Sequence, residues 1–277
     1  MRVTKHHGLG NDFLVYLGPV PLVGAEVLAR RLCDRRMGIG ADGLIFGAPT
    51  NDADVEFVLF NGDGSAAEIS GNGIRCLAQA VVRSQARDRS CAAEPTAVSL
   101  RIKTSSGVRS VEVTAGSHDA EVMATVDMGS ALPIEAPDGW HLLEVHPDRP
   151  VAHLSLGNPH AVVLTDDVAS VDLEMLGSLV PLINLEIVEP GPEPSAITMR
   201  VHERGVGITL ACGSGATASA VAARGWGIVS SDEVIVHQPG GTALVRFDGD
   251  QITLVGPSVF VGSIDVDTAL VKGTQLL

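Results

Sequence analysis

Two short segments of this sequence carry the residues best suited to moving a proton. Ile69-Ser70-Gly71-Asn72-Gly73 and Ala211-Cys212-Gly213-Ser214-Gly215 each set a hydroxyl or thiol directly ahead of a Gly-X-Gly run. Glycines let backbone N–H groups approach a ligand closely, and a helix N-terminus favours an anion. A substrate carboxylate suits that device. The same field draws a thiol from its free pKa of about 8.5 toward roughly 3.5–7.5, so Cys212 reads as a thiolate. Taken alone, Cys212 would read as a buried, inert core cysteine. Two such loops facing each other would hold one small anion between acid/base groups on opposite faces. That geometry removes a proton from one side of a carbon and returns it from the other.

The loops read as copies. Ser70 through Ala78 aligns without gaps on Cys212 through Ala220, roughly half the chain further on, and each copy runs into an Ala/Val-rich segment ending in Arg. An internal repeat of this kind predicts two similar halves. The elements that must position them are mostly short strands, among them 54–59, 98–103, 108–113, 122–127, 160–164, 197–201, 233–237 and 242–247. Helical spacing is confined to residues 23–36, which end on basic Arg35-Arg36, and to 72–85 and 213–224. That pattern lacks the βαβ rhythm of a doubly wound fold. The polar run at 115–119 is the best first boundary. It predicts an N-terminal half of residues 1–117 plus 263–277 and a C-terminal half of 118–262.

Composition narrows the function classes. The 277 residues carry a net charge of −14, which argues against nucleic acid as a partner. The polar start of the chain offers no apolar secretory segment. Cys33, Cys76, Cys91 and Cys212 form no CxxC, which suits a reducing cytoplasm. Val206 to Ala223 is 18 residues without a charge, the length of a membrane span. Its many Gly, Ser and Thr residues point instead to a loop feeding a buried helix, so no membrane partner is expected.

Further Asn- and Gly-rich turns recur along the chain, and Asn can both donate to and accept from a zwitterionic ligand. HGLGND (7–12), RRMGIGADGLI (35–45), FNGDGS (60–65), SGNGIRC (70–76), GNPH (157–160), HERGVG (202–207) and ACGSGA (211–216) occur in that order. In this the chain resembles the diaminopimelate epimerases, cofactor-independent amino-acid epimerases that use paired cysteines, over nearly its whole length. The resemblance implies an α/β (α+β) fold of two pseudo-symmetric halves, each a curled sheet or barrel around a central helix, with the active site in the cleft. It implies an isomerase acting on a small amino acid without pyridoxal phosphate or any other cofactor or metal, and a possible homodimer. Carried over by position, Cys212 and Ser70 occupy the catalytic posts, and His160 and Glu203 match an auxiliary acid/base pair. Asn11, Asn61, Asn158 and Asn184 match substrate-contacting asparagines. Arg204, with the Gly71-Asn72 and Gly213-Ser214 backbones, matches groups that grip the amino and carboxylate ends.

The chain departs from the family pattern at Ser70, where the family has its other cysteine. A hydroxyl is a far weaker acid than a thiol and is rarely an alkoxide at neutral pH. Three readings stand open: a crippled two-base epimerase, a one-sided acid working with Cys212 as base, or another reaction such as an elimination that needs one base. A binding protein that has lost turnover is the non-catalytic alternative. Ile208 stands where the family usually has glutamate and leaves the exact substrate open; Gly43 stands where some members have glutamine. Gly38-Ile39-Gly40-Ala41-Asp42-Gly43 satisfies G-x-G-x-x-G, but a helical segment precedes it and a strand follows, the reverse of a dinucleotide-binding fingerprint. No HExxH or equivalent supports a metal hydrolase.

Overall fold

The computed structural model describes residues 1–88 and 97–272; Cys91 and the terminal residues 273–277 lie outside the described residues. Contacts divide the chain into two units, Met1–Val126 with Gly256–Leu277, and Asp127–Val255. In chain order the elements are β1 (Arg2–Gly8), β2 (Asn11–Leu17), α1 (Ala25–Cys33), β3 (Gly43–Ala48), β4 (Val55–Asn61), β5 (Ala66–Ala67), α2 (Gly71–Asp88), β6 (Ala97–Thr104), β7 (Gly107–Ala115) and β8 (Glu121–Gly129). There follow β9 (Leu132–Pro133), a 3-10 turn (Trp140–Leu143), β10 (Val151–Ser155), β11 (Pro159–Leu164), α3 (Leu173–Leu179), β12 (Asn184–Pro190), β13 (Ala196–Glu203), β14 (Gly207–Thr209), α4 (Gly213–Gly225), β15 (Glu233–Gln238), β16 (Gly241–Asp248) and β17 (Gln251–Asp265).

In the first unit, hydrogen bonding closes a ring in the order β1, β2, β3, β4, β6, β7, β8, β17 and back to β1. α2 packs against β1, β2, β3, β4, β6 and β7. Residues 71–80 are buried on every side, as a helix enclosed by a sheet must be. In the second unit the run is β10, β11, β12, β13, β15, β16, β17, with β9 beside β10 and β14 beside β13. α4 packs against β10, β11, β12, β13, β15 and β16, and its small side chains let those strands come close.

The nine-residue sequence repeat is the visible part of a complete topological duplication. β1-β2-α1-β3-β4-β5-α2-β6-β7-β8 and β10-β11-α3-β12-β13-β14-α4-β15-β16-β17 follow the same order. Their pairings also match: an antiparallel hairpin, a parallel crossover over a helix, an antiparallel return, then a second parallel step from β4 to β6 and from β13 to β15. A parallel step needs a crossover segment, which is where the helices fall. The fold is therefore the α+β duplication that the repeat predicts.

Three local details position the site. The opening HGLGND is a hairpin rather than a free turn: Gly8 pairs with Asn11 across a two-residue loop, with Leu9 and Gly10 both at positive φ (55° and 84°). That is the primed turn whose twist matches its strands. α1 buries Leu28, Ala29, Leu32 and Cys33 but stops at Cys33, short of the expected Arg35-Arg36 end. The Asp34 carboxylate accepts the Arg36 and Met37 N–H groups (both 2.7 Å), and this turn ends the helix. Arg35 instead reaches Asp12 and Asp42, both at 2.7 Å. The G-x-G-x-x-G segment lies between α1 and β3, in the order opposite to a dinucleotide fingerprint. The uncharged stretch from Val206 folds as β14, a loop and α4, and no helix among the described residues is long and apolar enough to cross a membrane.

Candidate active site

The two posts use one backbone device. Ser70 precedes α2, and its Oγ accepts the Gly73 N–H at 3.0 Å. Cys212 is the N-cap of α4, and its Sγ accepts the Gly215 N–H at 3.3 Å. Each cap satisfies one of the helix's unpaired N–H groups. The glycine at the third helical position keeps the turn tight in both. A Cβ on Gly73 would lie 3.1 Å from the Phe57 ring and 3.2 Å from the Ser70 Cβ. One on Gly215 would lie 2.6 Å from Glu186 Oε1.

Around Ser70 the polar groups are amides. Asn72 Nδ2 donates to Asn11 Oδ1 (3.1 Å), and Asn11 Nδ2 donates to Asp42 Oδ2 (2.7 Å). Asn11 leaves the β1–β2 hairpin and Asp42 sits just before β3, so two adjacent strands hold the amide chain. Asn61 ends β4, and its Nδ2 donates to Ser65 Oγ within its own turn (3.1 Å). Gly71 and Asn72 are buried in the first turn of α2.

Around Cys212 the polar groups are acids and a histidine. Its backbone N–H donates to Gln238 Oε1 (2.8 Å), and its thiol hydrogen-bonds the Glu203 carboxyl. Sγ lies 3.6 Å from Ser214 Oγ. Thr209 Oγ1 also donates to Glu203, within the β13–β14 hairpin. Asn158 Nδ2 donates to Ser214 Oγ (3.2 Å), and His160 Nε2 donates to Asn158 Oδ1 (3.0 Å). His160 Nδ1 meets Glu186 Oε1 at 2.7 Å, with both side chains fully buried. Asn184 donates to the Pro159 carbonyl (2.8 Å) and accepts the Arg204 N–H (2.9 Å), which ties three loops together.

The electrostatics correct one expectation. Cys212 is a thiol, not a resting thiolate. Burial lifts its pKa well above the ordinary range, and the Glu203 and Glu186 charges lift it further; Ser214 and the Gly215 N–H pull the other way and lose. The helix terminus is present, but desolvation and two nearby carboxyls outweigh it. Glu203 is pushed up to about 7, chiefly by burial of its carboxyl, with the hydrogen bonds from Thr209 and Cys212 opposing. Burial raises Glu186 as well, and His160 counters it. Cys33 and Cys76 are pushed up to about 12 by burial. Neither has a carboxyl hydrogen-bonded to its sulfur as Cys212 does.

The sequence places His160 and Glu203 as one pair, whereas the structure gives each its own partner. His160 bonds Glu186, and Glu203 bonds Cys212. Glu186 was not singled out from sequence. Its signal was an acid inside the apolar run Leu185-Glu186-Ile187-Val188, where only a buried partner makes a carboxyl tolerable. No metal-holding group of His, Cys, Asp and Glu gathers among the described residues.

The family model for diaminopimelate epimerase matches residues 3–133 and 153–261. The chain belongs to the diaminopimelate epimerase family. It is 36% identical to the diaminopimelate epimerase of Carboxydothermus hydrogenoformans over 94% of this chain and 97% of that relative. With the enzyme of that name from Gloeothece citriformis it is 38% identical, over 95% and 98%. Among solved structures, a hydroxyproline epimerase from Agrobacterium vitis superposes with a TM-score of 0.71 at 18% identity, over 96% of this chain and 90% of the other. A PhzF-family phenazine biosynthesis protein from Bacillus anthracis gives 0.71 at 16%, over 96% and 99%. At such identities these structures report the fold, and it is the fold of this family.

Proposed function

We propose that this family member interconverts LL- and meso-diaminopimelate by proton removal and return at the α-carbon, without a cofactor. The observation that carries the reading is Cys212 at the N-terminus of α4, its thiol bonded to a carboxyl with a pKa of about 7. A group of that pKa is matched to proton transfer at neutral pH. Ionised Glu203 takes the thiol proton, and the resulting thiolate removes the α-proton. The C–H bond breaks, the S–H bond re-forms, and the electron pair stays on the carbon beside the carboxylate. In reverse, the thiol returns its proton and Glu203 resupplies it. The backbone N–H groups of Gly71, Asn72, Gly213 and Ser214, with Asn11, Asn61, Asn158, Asn184 and Arg204, grip the substrate's ionic ends. His160 acts through Asn158 and Ser214.

Ser70 supplies the second proton-transfer group. Its hydroxyl delivers a proton, and the oxyanion left behind makes this the slow step. The same serine favours a second reading, a one-base site that exchanges the α-proton without inversion or acts on another amino acid. Incubating the enzyme with LL- and meso-diaminopimelate in deuterated water tests both. Deuterium at the α-carbon with inversion is the expected result. Exchange without inversion replaces it with the one-base reading. No exchange on diaminopimelate or on a panel of amino acids removes the racemase reading and leaves a binding protein.

The two halves expected from sequence are proposed as the two functional units of this enzyme. A cytoplasmic site of action is supported by the free Cys33, Cys76 and Cys212. A homodimer is proposed on family resemblance, with sedimentation as its test.

A further inference from the structure

Arg75 is the largest fully buried side chain among the described residues, with no accessible surface. A buried guanidinium is costly unless its donors are met. Here Nη2 donates to Asn72 Oδ1 at 2.7 Å, while Nε and Nη1 have no hydrogen-bond partner. The surrounding backbone is shaped to receive it. A Cβ on Gly8 would stand 3.0 Å from Nη2, and one on Gly256 would stand 2.8 Å from Nη1 and 2.9 Å from Cζ. Two strands, β1 and β17, thus carry glycine where the guanidinium passes. So expensive a group, so closely accommodated, calls for a role beyond filling space.

Its one short hydrogen bond supplies that role. Arginine can only donate and a carboxylate can only accept. The run Arg75 to Asn72 (2.7 Å), Asn72 to Asn11 (3.1 Å) and Asn11 to Asp42 (2.7 Å) is therefore anchored by an obligate donor at one end and an obligate acceptor at the other. Every amide between them has a single allowed orientation. We infer that Arg75 is a positioning residue: it holds Asn72, and through Asn72 the side chain of Asn11, in the orientation that meets the substrate. This rests on the proposed function only in taking those asparagines as substrate contacts. Without Arg75, the buried Asn72 oxygen loses its charged donor.

The inference is tested with Arg75→Met and Arg75→Lys, read by hydrogen exchange of the ¹⁵N-labelled Asn11 and Asn72 side-chain amides and by steady-state kinetics. Losing a charge-assisted hydrogen bond predicts exchange about tenfold faster in Arg75→Met, with Arg75→Lys between it and wild type. On diaminopimelate, KM rises about tenfold while kcat changes far less, because binding geometry and not the proton-transfer groups has loosened. A purely structural role would instead lower the folded fraction and leave KM alone. Unchanged amide exchange in whichever variant folds overturns the inference, and Arg75→Lys carries the test if Arg75→Met does not fold. An enzyme silent on diaminopimelate whose amides still loosen keeps the positioning role and removes only the substrate reading.

Discussion

The two caps share a backbone and differ in everything around it. Each unit offers an N-cap hydroxyl or thiol, a Gly-X-Gly turn and a buried helix inside the same sequence of strands. At matching places the side chains diverge in charge. Asn61 ends β4 where Glu203 ends β13. Phe13 opens the β2–β3 parallel pairing where His160 opens that of β11–β12, and two steps on Ile45 stands where Glu186 does. In the helices, Arg75 stands where Thr217 does. The first unit thus buries a cation beneath its post and lines it with amides, while the second buries two carboxyls and a histidine beneath its own. On the proposed function, the duplicated scaffold carries its titratable acid/base groups in the second unit and its orienting amides in the first, with Ser70 the first unit's own proton-transfer group. The lesson is that the repeat specifies geometry, and point substitutions within it divide the chemical labour.

The sharpest way to break this comparison is to exchange the posts' chemistry. Cys212→Ser is expected to abolish α-proton exchange, a loss of at least about 10²-fold, the range for a positioned acid/base group. Ser70→Cys is expected to raise diaminopimelate turnover by a comparable factor. An unchanged or lower rate for Ser70→Cys, measured by coupled assay, would show that the serine is not the limiting group.

Removing the carboxyl partner sharpens the electrostatic half of the contrast. Glu203 raises the Cys212 pKa, so Glu203→Gln shifts the pH profile of Cys212 alkylation by iodoacetamide to lower pH while turnover falls. The stability consequence has a definite sign. The folded-state pKa of Glu203, about 7, lies above the 4.5 of a free glutamate, so the folded protein binds the extra proton. Its contribution is full below about 4.5 and is lost as pH rises through about 7, a window in which Glu203→Gln flattens the fall in melting temperature. A fall that persists in the variant would move the titration to Glu186, which is raised in the same direction.

The smallest effect separates the two turns. Gly215→Ala sets a methyl 2.6 Å from Glu186 Oε1, whereas Gly73→Ala meets the edge of Phe57 at 3.1 Å. Overpacking of this kind costs roughly 1–3 kcal/mol, so thermal melts should place Gly215→Ala lower than Gly73→Ala. Equal melting temperatures would mean that the carboxyl beneath α4 moves as readily as a ring.

What was legible in the sequence was local. Gly-X-Gly turns, the nine-residue repeat, the two enclosed helices and eight of the strands all follow from residues near one another in the chain, and the family motifs lie in such stretches. Helical spacing carries α1 past its real end because the Asp34 side chain turns the chain there and Arg35 swings out to Asp12 and Asp42, one of them before the helix and one after it.

The sequence by itself determined that there are two posts, a serine and a cysteine, each at a helix start. Only the tertiary structure decided the protonation state of the cysteine, the partner of His160 and the complete burial of Arg75. The reason is physical. Desolvation is set by what packs around a group, and Glu186 meets His160 only because two parallel strands bring residues 26 apart into contact. Burial turned the expected thiolate into a thiol and made the carboxyl beside it the group poised near neutral pH.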